Sequence, residues 1–515
     1  MVYFDIFSIF DKDKLLSSQI VWATAAAFFI GYVTYAFFLS FGSQFRGPLI
    51  ARFGIVRDLV VFASGTFADV CEDDYYRYGD IYHIGANRIA LSNVSDCRRV
   101  LASHDFRKPR FRYQAFDTIG PNMLSNTVPE ISNIRRRQIG PMFRHGYLAE
   151  MEPAIKECSI KALKAKWDRL IDDSGGTAVV NYYSDFLLIV FDIISTLGFD
   201  YQFRTLENNG SQIVKWVDDV HQLNMYRILF AYPARFPATL FTGKSIKGVQ
   251  DFLDFGNRIT EERRKQVEAG MEPPKDILQA LIDAVDPVTK EKLTTAEITA
   301  ENIILLMAGT NSASYTMAWF LHYMMLYPDI YKRAVDEVRS AFPQDHCIGY
   351  TEGRTKLPFL DACIYEVMRI RGVTSVIFPR EVPAGGASFQ GYHFPAGTSV
   401  FLNFAGLNHN KDVWGDPRNF RPDRFIENEN LKQNVFTFSS GVRVCPGRSL
   451  AHFELYTVLA NLLKDYDFKL PEGSPWGPDN VDKFGNPIPM PRTFVTTVRP
   501  KYPERDCNVL ITKAA

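Results

Sequence analysis

A single cysteine in the stretch "FSSGVRVCPG" has surroundings that stabilise a thiolate. Cys445 lies between a loop opened by Gly441 and a helix start that Pro446 favours. Backbone N–H groups at a helix amino terminus, together with Arg443, are expected to lower the pKa of this thiol. An isolated cysteine is more often a buried apolar side chain. The combination of glycines, proline, arginine and cysteine instead indicates an anionic sulfur ligand at position 445.

The segment "ACIYEVMRIRG" contains a carboxylate and a guanidinium at helical spacing. Glu366 and Arg369 lie three residues apart, so they share one face of a helix and can pair. Such a pair is usually solvated and contributes less than about 1 kcal/mol. The spacing therefore predicts a contact, and by itself it does not predict a function.

The elements that must position these residues are mostly helices. Thr294 and Glu297 form a capping box before an apolar run that lasts to Tyr327, and Pro328 ends it. Further helices are predicted at Ala154 to Ile171, Ser184 to Thr196, Val249 to Ala269, Ile330 to Phe342, Leu360 to Arg371 and Arg448 to Leu463. The strand-like pieces are short, namely "DIYHIG", "RIALSN", "GYHFP", "SVFLNF" and "FVTTVRP". The pattern predicts a mainly α fold with a small β region in one large domain, because no linker, charge block or internal repeat follows the first fifty residues.

Composition excludes some classes of protein. The 515 residues are 46% hydrophobic, so the chain can bury a large core and is not a disordered or fibrous sequence. Its 58 basic and 58 acidic residues cancel, which argues against a nucleic-acid partner. The seven cysteines are odd in number and form no zinc-type cluster. This cysteine usage indicates a reducing compartment.

The amino-terminal segment predicts a membrane anchor. The run "IVWATAAAFFIGYVTYAFFLSF", from Ile20 to Phe41, is long enough at about 1.5 Å per residue to cross a hydrocarbon layer of about 30 Å. A cleaved signal peptide is the alternative, but its apolar region would be only about 7 to 15 residues long. Because Arg46, Arg52 and Arg57 follow the run, the positive-inside rule places the body of the protein in the cytosol.

The cysteine loop resembles the haem-binding signature of the cytochrome P-450 family. The positions that match are Phe438, Gly441, Arg443, Cys445 and Gly447. The resemblance implies that the thiolate of Cys445 is the axial ligand of the iron of haem b. The order of motifs along the whole chain is that of microsomal members, with fungal members most similar. It implies an anchor in residues 1–45, a haem-thiolate domain in residues 46–515, and attachment to the endoplasmic reticulum membrane by one span.

The same resemblance assigns roles to further charged residues. The segment "WGDPRNFRPDRF" is similar to the family's meander, whose arginine, here Arg424, closes a buried structural network with Glu366 and Arg369. Arginines at three family positions contact the haem propionates, which suits a dianionic edge. Those positions are occupied here by Arg136, Arg380 and Arg443. The tryptophan or histidine that usually precedes the first of them by four is replaced by Ser132.

The central helix departs from the family pattern where dioxygen is activated. The family usually has an acid followed by threonine there, and this chain has Thr310, Asn311 and Ser312. The serine hydroxyl can still donate and accept a proton, whereas an asparagine side chain does not titrate near neutral pH. These three residues are the catalytic candidates, and the alternative is that small polar residues only relieve crowding in a buried helix.

Two chemistries remain open for the haem site. The first is a monooxygenase, which inserts one oxygen atom from dioxygen into a lipophilic small molecule with NADPH electrons from a separate flavoprotein reductase. The second is an isomerase or dehydratase of peroxides or endoperoxides, which needs neither dioxygen nor NADPH. A haem-binding protein without catalysis is a third possibility. No part of the sequence is expected to form a flavin or nicotinamide domain, so the reductase should be a separate protein. Arg448 and the basic residues of the arginine-rich helix are expected to contact an acidic face of that reductase.

The substrate is not defined by the sequence. By resemblance, the distal pocket is lined by Phe111 to Met123, Tyr226 to Phe236, Val373 to Phe378 and the helix face near Leu306 and Ala308. These segments are rich in aromatic and aliphatic residues, which predicts an apolar ligand. Terpenoids, polyketides, fatty acids and aromatic xenobiotics all remain compatible, with fungal secondary metabolism or detoxification as the implied context.

Overall fold

A buried helix of 32 residues, Thr295–Leu326, forms the centre of the molecule. Its capping box is made as the sequence predicts, because the Thr294 side chain accepts from the backbone of Glu297 and the Glu297 carboxylate accepts from the backbone of Thr294. It ends at Tyr327, and Pro328 begins the next helix. The predicted bounds of the central helix are therefore confirmed.

The computed structural model describes residues 12–54, 56–117, 120–208, 210, 212–229, 239–286, 289–375 and 379–514. Its α-helices are α1 Lys12–Thr34, α2 Val56–Ser64, α3 Phe67–Tyr78, α4 Val94–Ala102, α5 Arg110–Tyr113, α6 Pro129–Ile139, α7 His145–Lys156, α8 Ala162–Asp173, α9 Tyr182–Phe199, α10 Gln212–Leu229, α11 Thr239–Glu268, α12 Ile277–Ile282, α13 Thr295–Leu326, α14 Pro328–Ala341, α15 Tyr350–Lys356, α16 Pro358–Ile370, α17 Phe404–Leu407, α18 Lys411–Trp414, α19 Asp423–Glu427, α20 Arg448–Asp465 and α21 Pro503–Asp506.

The strands are short and form small sheets. They are β1 Ile81–Gly85, β2 Arg88–Leu91, β3 Ala178–Asn181, β4 Pro379–Glu381, β5 Ala387–Phe389, β6 Tyr392–Phe394, β7 Ser399–Leu402, β8 Tyr466–Lys469, β9 Arg492–Val495, β10 Thr497–Pro500 and β11 Asn508–Lys513. The largest sheet has the order β1-β2-β7-β4, in which β2 and β7 are parallel and the other neighbours are antiparallel. Helices dominate the described chain, so the predicted class, mainly α with a small β region, is confirmed.

Two predicted elements differ in detail. The piece "FVTTVRP" was expected as one strand, but it contains the tight antiparallel turn between β9 and β10. Thr496 makes this turn with a φ of 59°, a conformation that a β-branched residue rarely adopts and that local sequence does not signal. The predicted helix from Ala154 to Ile171 is interrupted by a π-helical turn at Glu157–Lys161, shortly after Pro153.

Two helices in the described part of the chain are long and apolar enough to cross a membrane, and the amino-terminal one is exposed. Gln19–Leu39 has a mean hydropathy of 1.6 and is 6% buried, whereas the other candidate, α9, is 89% buried and belongs to the core. The helix is fastened where it meets the body, because the Arg52 guanidinium donates to the carbonyls of Ala36 at 2.8 Å and Phe37 at 3.3 Å. An exposed apolar helix of this length is consistent with membrane anchoring.

Candidate functional site

A cavity of about 320 Å³ separates the central helix α13 from the loop that precedes α20. Leu305, Ala308 and Ser312 of the helix line it, as do Cys445 and Phe438 of the loop. The rest of the lining is largely aliphatic and aromatic. The structure therefore brings the cysteine loop and one candidate catalytic residue to the same enclosed space.

The cysteine loop is held by backbone contacts and by one obligatory glycine. The Cys445 N–H donates to the Phe438 carbonyl at 2.8 Å. Gly441 has a φ of 61°, and a Cβ there would lie 2.4 Å from the carbonyl oxygen of Leu101. Gly447 precedes α20 with a φ of −77°, and an added Cβ would make only an ordinary contact, 3.9 Å from the Cys445 sulfur. Glycine is therefore required at 441, while the protein atoms alone do not require it at 447.

The electrostatics of Cys445 differ from the sequence expectation. Its sulfur is open to the cavity, but the surrounding protein excludes bulk water, and this burial raises the pKa of the thiol. The N–H groups of Gly447 and Arg448 and the charges of Arg136 and Arg448 act in the opposite direction without overcoming burial. The largest charge effects on this pKa come from Arg136 and Arg448 rather than from Arg443, whose guanidinium donates to the Ser132 hydroxyl.

Five cationic side chains line the cavity, and one of them, Arg112, is paired with Asp58 at 2.7 Å. The other four are Lys108, Arg136, Arg380 and Arg443. Burial and the three neighbouring guanidinium groups hold the pKa of Lys108 well below its usual value, so the four charges lie close enough to repel one another. Arg136 also donates to the carbonyl of Val444, which ties α6 to the cysteine loop. Lys108 was missed by sequence analysis, since a lysine in a loop gives no signal of burial.

This cationic cluster has no anionic partner in the cavity. Among the described residues that line it, the single acid is Glu454, and burial raises its pKa well above the usual value, which favours the uncharged carboxyl. Like charges in a desolvated site are unfavourable unless an anion joins them. The cavity therefore fits a group that carries negative charge at one edge, is otherwise apolar, and offers a metal to the sulfur of Cys445. A haem with two propionates has these properties.

The three catalytic candidates of the central helix do not share one face. Ser312 lines the cavity, and its hydroxyl donates to the Ala308 carbonyl at 2.8 Å. Thr310 and Asn311 are both buried and are not among the lining residues. Their separation follows from helical periodicity, because residues one and two positions apart point in different directions. Likewise Leu305, rather than the expected Leu306, lines the wall beside Ala308.

The predicted charged network is present as a buried contact. Arg369 donates to both oxygens of Glu366, at 2.8 and 2.7 Å, and to the carbonyls of Asn408 and Pro417, each at 2.8 Å. Arg424 donates to Glu366 at 3.1 Å. The side chains of the two arginines and the glutamate are at most 1% exposed. The structure therefore brings together three residues from α16 and α19.

Pocket segments expected from the sequence are described in part. Phe116, Met123, Val373 and Thr374 line the cavity. Residues 118–119, 230–236 and 376–378 of the expected segments lie outside the described residues. The lining residues that sequence analysis missed include His221, Thr496 and Thr497. Helix α10 and the turn between β9 and β10 bring them to the cavity, and only the tertiary fold reveals this.

Comparison with solved structures identifies the fold class. The crystal structure of the cytochrome P-450DA heme domain superposes with a TM-score of 0.75 at 18% sequence identity, covering 89% of this chain and 95% of that one. This chain therefore has the fold of that heme domain, and both its long central helix and its cysteine loop contribute to the lining of the cavity.

Sequence comparison then assigns the family. The profile described as Cytochrome P-450 matches residues 48–493. Among curated relatives, the cytochrome P-450 monooxygenase helB1 of Aspergillus fumigatus is 38% identical over 494 residues, covering 95% of this chain and 85% of the relative. The monooxygenase helB2 of the same fungus is 37% identical and covers 93% and 95%. The chain belongs to the cytochrome P-450 family, is similar to fungal members, and is an oxidoreductase of the monooxygenase type.

Proposed function

We propose that this protein inserts one oxygen atom from dioxygen into a lipophilic small molecule, using electrons that a separate flavoprotein reductase takes from NADPH. The observation that carries the proposal is the shared cavity, whose otherwise largely apolar lining includes Cys445, the cationic cluster and Ser312. Relatives at 37–38% identity are named as monooxygenases, which supports the reaction type.

The residues that would hold haem b are those of the loop and the cationic cluster. Cys445 would ligate the iron, and Arg136, Arg380 and Arg443, with Lys108, would bind the propionates. The loop residues Phe438, Gly441 and Gly447 would frame the porphyrin on the cysteine side. When bound, the haem supplies the redox centre that activates dioxygen.

The protein's own contribution to chemistry is proton delivery and exclusion of water. Ser312 is the side chain we assign to hold and pass a proton toward the cavity, because its hydroxyl is exposed there and accepts as well as donates. Asn311 and Thr310 act behind it as positioning residues. The Thr310 hydroxyl has no hydrogen-bond partner within the described part of the chain, so an ordered water could link it to this relay.

We assign the contact with the reductase from exposed basic residues, and the cellular location of the protein from its apolar amino-terminal helix. Arg448, near the cysteine loop, and Arg137, at the end of α6, are exposed and would contact an acidic reductase face. We assign residues 1–45 to a single span of the endoplasmic reticulum membrane and residues 46–515 to a cytosolic haem domain. The exposed helix and the three arginines that follow it support this orientation.

Oxygen uptake by the haem-loaded protein tests the reaction. Protein reconstituted with a microsomal reductase is mixed with a panel of lipophilic compounds, and oxygen consumption and products are measured with and without NADPH. NADPH-dependent uptake with a product one oxygen heavier supports the proposal. Consumption of added hydroperoxides without NADPH, and no uptake with it, would instead support the isomerase alternative. Neither activity with any compound would support a non-catalytic haem protein.

The haem assignment has its own test. Cys445→Ser should abolish the reduced, carbon monoxide-bound spectrum of a thiolate-ligated haem, because the serine oxygen does not replace the thiolate donor. Cys347→Ser is the matched control, since Cys347 is half-buried and lies outside the cavity. An unaltered spectrum in Cys445→Ser, or a wild-type chain that takes up no hemin, would overturn the assignment.

A further inference from the structure

Polar atoms without partners lie at the wall of the cavity formed by α10 and by the turn between β9 and β10. His221 is 4% exposed and lines the cavity, yet its Nε2 has no hydrogen-bond partner among the described residues. The hydroxyl of Thr497, also in the lining, and the side-chain oxygen of Asn224 are likewise without partners there. Asn224 follows His221 by three residues, so both lie on one face of α10.

The histidine ring is held in place by a strained turn. Nδ1 of His221 lies 2.5 Å from the hydroxyl oxygen of Thr496. Thr496 adopts its φ of 59° between β9 and β10. A β-branched residue keeps such a strained conformation only when the surrounding contacts hold it there. The contact occupies Nδ1, and Nε2 has no hydrogen bond of good geometry within the described part of the chain.

The charge state of His221 limits what it can recognise. Burial lowers the pKa of His221 to about 4, the charge of Arg499 acts in the same direction, and an interaction with the Met307 backbone opposes them. The imidazole is therefore neutral near pH 7, with one nitrogen that donates and one that accepts. A neutral imidazole beside a threonine hydroxyl suits a neutral oxygen, such as a hydroxyl or a carbonyl, better than an anion.

The surroundings of this group indicate why a ligand oxygen is needed. Buried polar atoms without partners are costly, whereas the remaining lining of the cavity is largely apolar. Met307, which contacts the Asn224 amide through its sulfur at 3.5 Å, also lines this part of the cavity. It precedes Ser312 by five residues, about 7.5 Å along the helix axis at 1.5 Å per residue.

We propose that His221, Thr496 and Thr497 form a polar subsite that binds one hydroxyl or carbonyl oxygen of an otherwise apolar substrate. The subsite fixes one end of the molecule and thereby selects the carbon presented beside Ser312. His221 is then a specificity-determining residue. The inference rests on the proposed function for the identity of the ligand as substrate, but its binding chemistry is tested without turnover.

The test compares ligands that differ by one oxygen. Decalin, decahydro-2-naphthol and 2-decalone are titrated into the haem-loaded protein, and Kd is measured from the haem absorbance shift and by calorimetry. Both oxygenated probes are expected to bind about tenfold more tightly than decalin. His221→Phe should bring the three Kd values within about twofold of one another, and Thr497→Val should reduce the preference in part.

Two further variants control for shape and for helix perturbation. His221→Gln keeps a hydrogen-bonding group of similar reach and should retain most of the preference. Gln222→Ala alters an exposed neighbour on α10 and should leave all three Kd values unchanged. Equal affinities in the wild type, no binding of either oxygenated probe, or a full preference in His221→Phe would each overturn the subsite. Because no NADPH is present, a failure of oxygen uptake would leave this result unaffected.

Discussion

Arg424 donates a hydrogen bond to Glu366 at 3.1 Å, although 58 residues separate them in the chain. Glu366 also accepts from Arg369, and none of the three side chains is more than 1% exposed. Two guanidinium groups and one carboxylate would be costly to bury separately, so the three depend on one another. The backbone around Asn408 and Pro417 receives the remaining Arg369 donors, which ties α16 to the segment leading to the cysteine loop.

Breaking this network should abolish haem incorporation rather than slow turnover. Glu366→Ala leaves the buried Arg369 guanidinium without a carboxylate and leaves Arg424 with only the more exposed Asp416, at a cost of about 3 to 5 kcal/mol. Arg369→Ala should behave alike, because it leaves the carboxylate underpaired and several carbonyls without donors. The measurement is the yield of carbon monoxide-reactive haem protein in a matched expression series.

Arg421→Ala is the control for this series. Its side chain pairs with Asp416 and Glu427 near the surface, while its backbone N–H donates to Glu366 and is untouched by the substitution. The substitution should lower the free energy of unfolding by less than about 1 kcal/mol. A stable, haem-loaded and active Arg369→Ala protein would contradict the structural role.

The hydroxyl of Ser312 should determine how much product is formed for each NADPH consumed, which is the coupling of the reaction. Ser312→Ala removes the hydroxyl that α13 places one turn from Ala308 in the cavity wall, and loss of a proton donor typically slows such a step about a hundredfold or more. Product formed per NADPH should fall, with more hydrogen peroxide released. Ser312→Thr should retain coupling.

Ser314→Ala is the matched control on the same helix. Its hydroxyl donates to the Thr310 carbonyl at 2.7 Å on a buried face away from the cavity. Coupling should remain at the wild-type value. If Ser312→Ala kept its coupling while Ser314→Ala lost it, the assignment of the relay to the cavity face would be wrong.

Local sequence predicts some of this structure well. The capping box of α13 depends on residues close together in the chain, so its pattern was sufficient. The cationic cluster was less predictable, because Lys108 reaches it only when distant segments pack. His221 gave no signal for the same reason. The separation of Thr310 from Ser312, in contrast, follows from helical periodicity and could have been anticipated.

A buried glutamate near the start of α13 should make stability depend on pH. Glu301 accepts from the Met123 N–H at 3.0 Å and lies 3.6 Å from Arg135. Burial raises its pKa to about 7 despite these contacts. The unfolded chain ionises this group near its ordinary value of about 4.3, so unfolding releases a proton between the two values. Its stabilising contribution is therefore complete below about pH 4.3 and is lost as pH rises through about 7.

Glu301→Gln isolates this contribution. Glutamine can still accept from Met123 but does not ionise, so the variant should gain stability relative to wild type as pH rises from about 4.5 to 8. Over this pH range, the difference in unfolding free energy between variant and wild type should change by at most about 3 kcal/mol. Urea unfolding of the haem-loaded proteins at both pH values measures it. A difference between variant and wild type that is constant across this range would show that the carboxyl ionises normally.

Close packing of α13 against α9 should explain the glycine at position 309. A Cβ on Gly309 would lie 2.7 Å from Cδ1 of Ile194, which is itself 5% exposed. Gly309→Ala gains about 1 kcal/mol of helix propensity, but overpacking costs about 1 to 3 kcal/mol, so the single variant should be neutral or destabilised. Ile194→Val removes the obstructing methyl group. In that background the alanine should become stabilising, with a coupling energy of about 1 kcal/mol in a double-mutant cycle. Additivity within about 0.5 kcal/mol would mean that this contact does not determine the glycine.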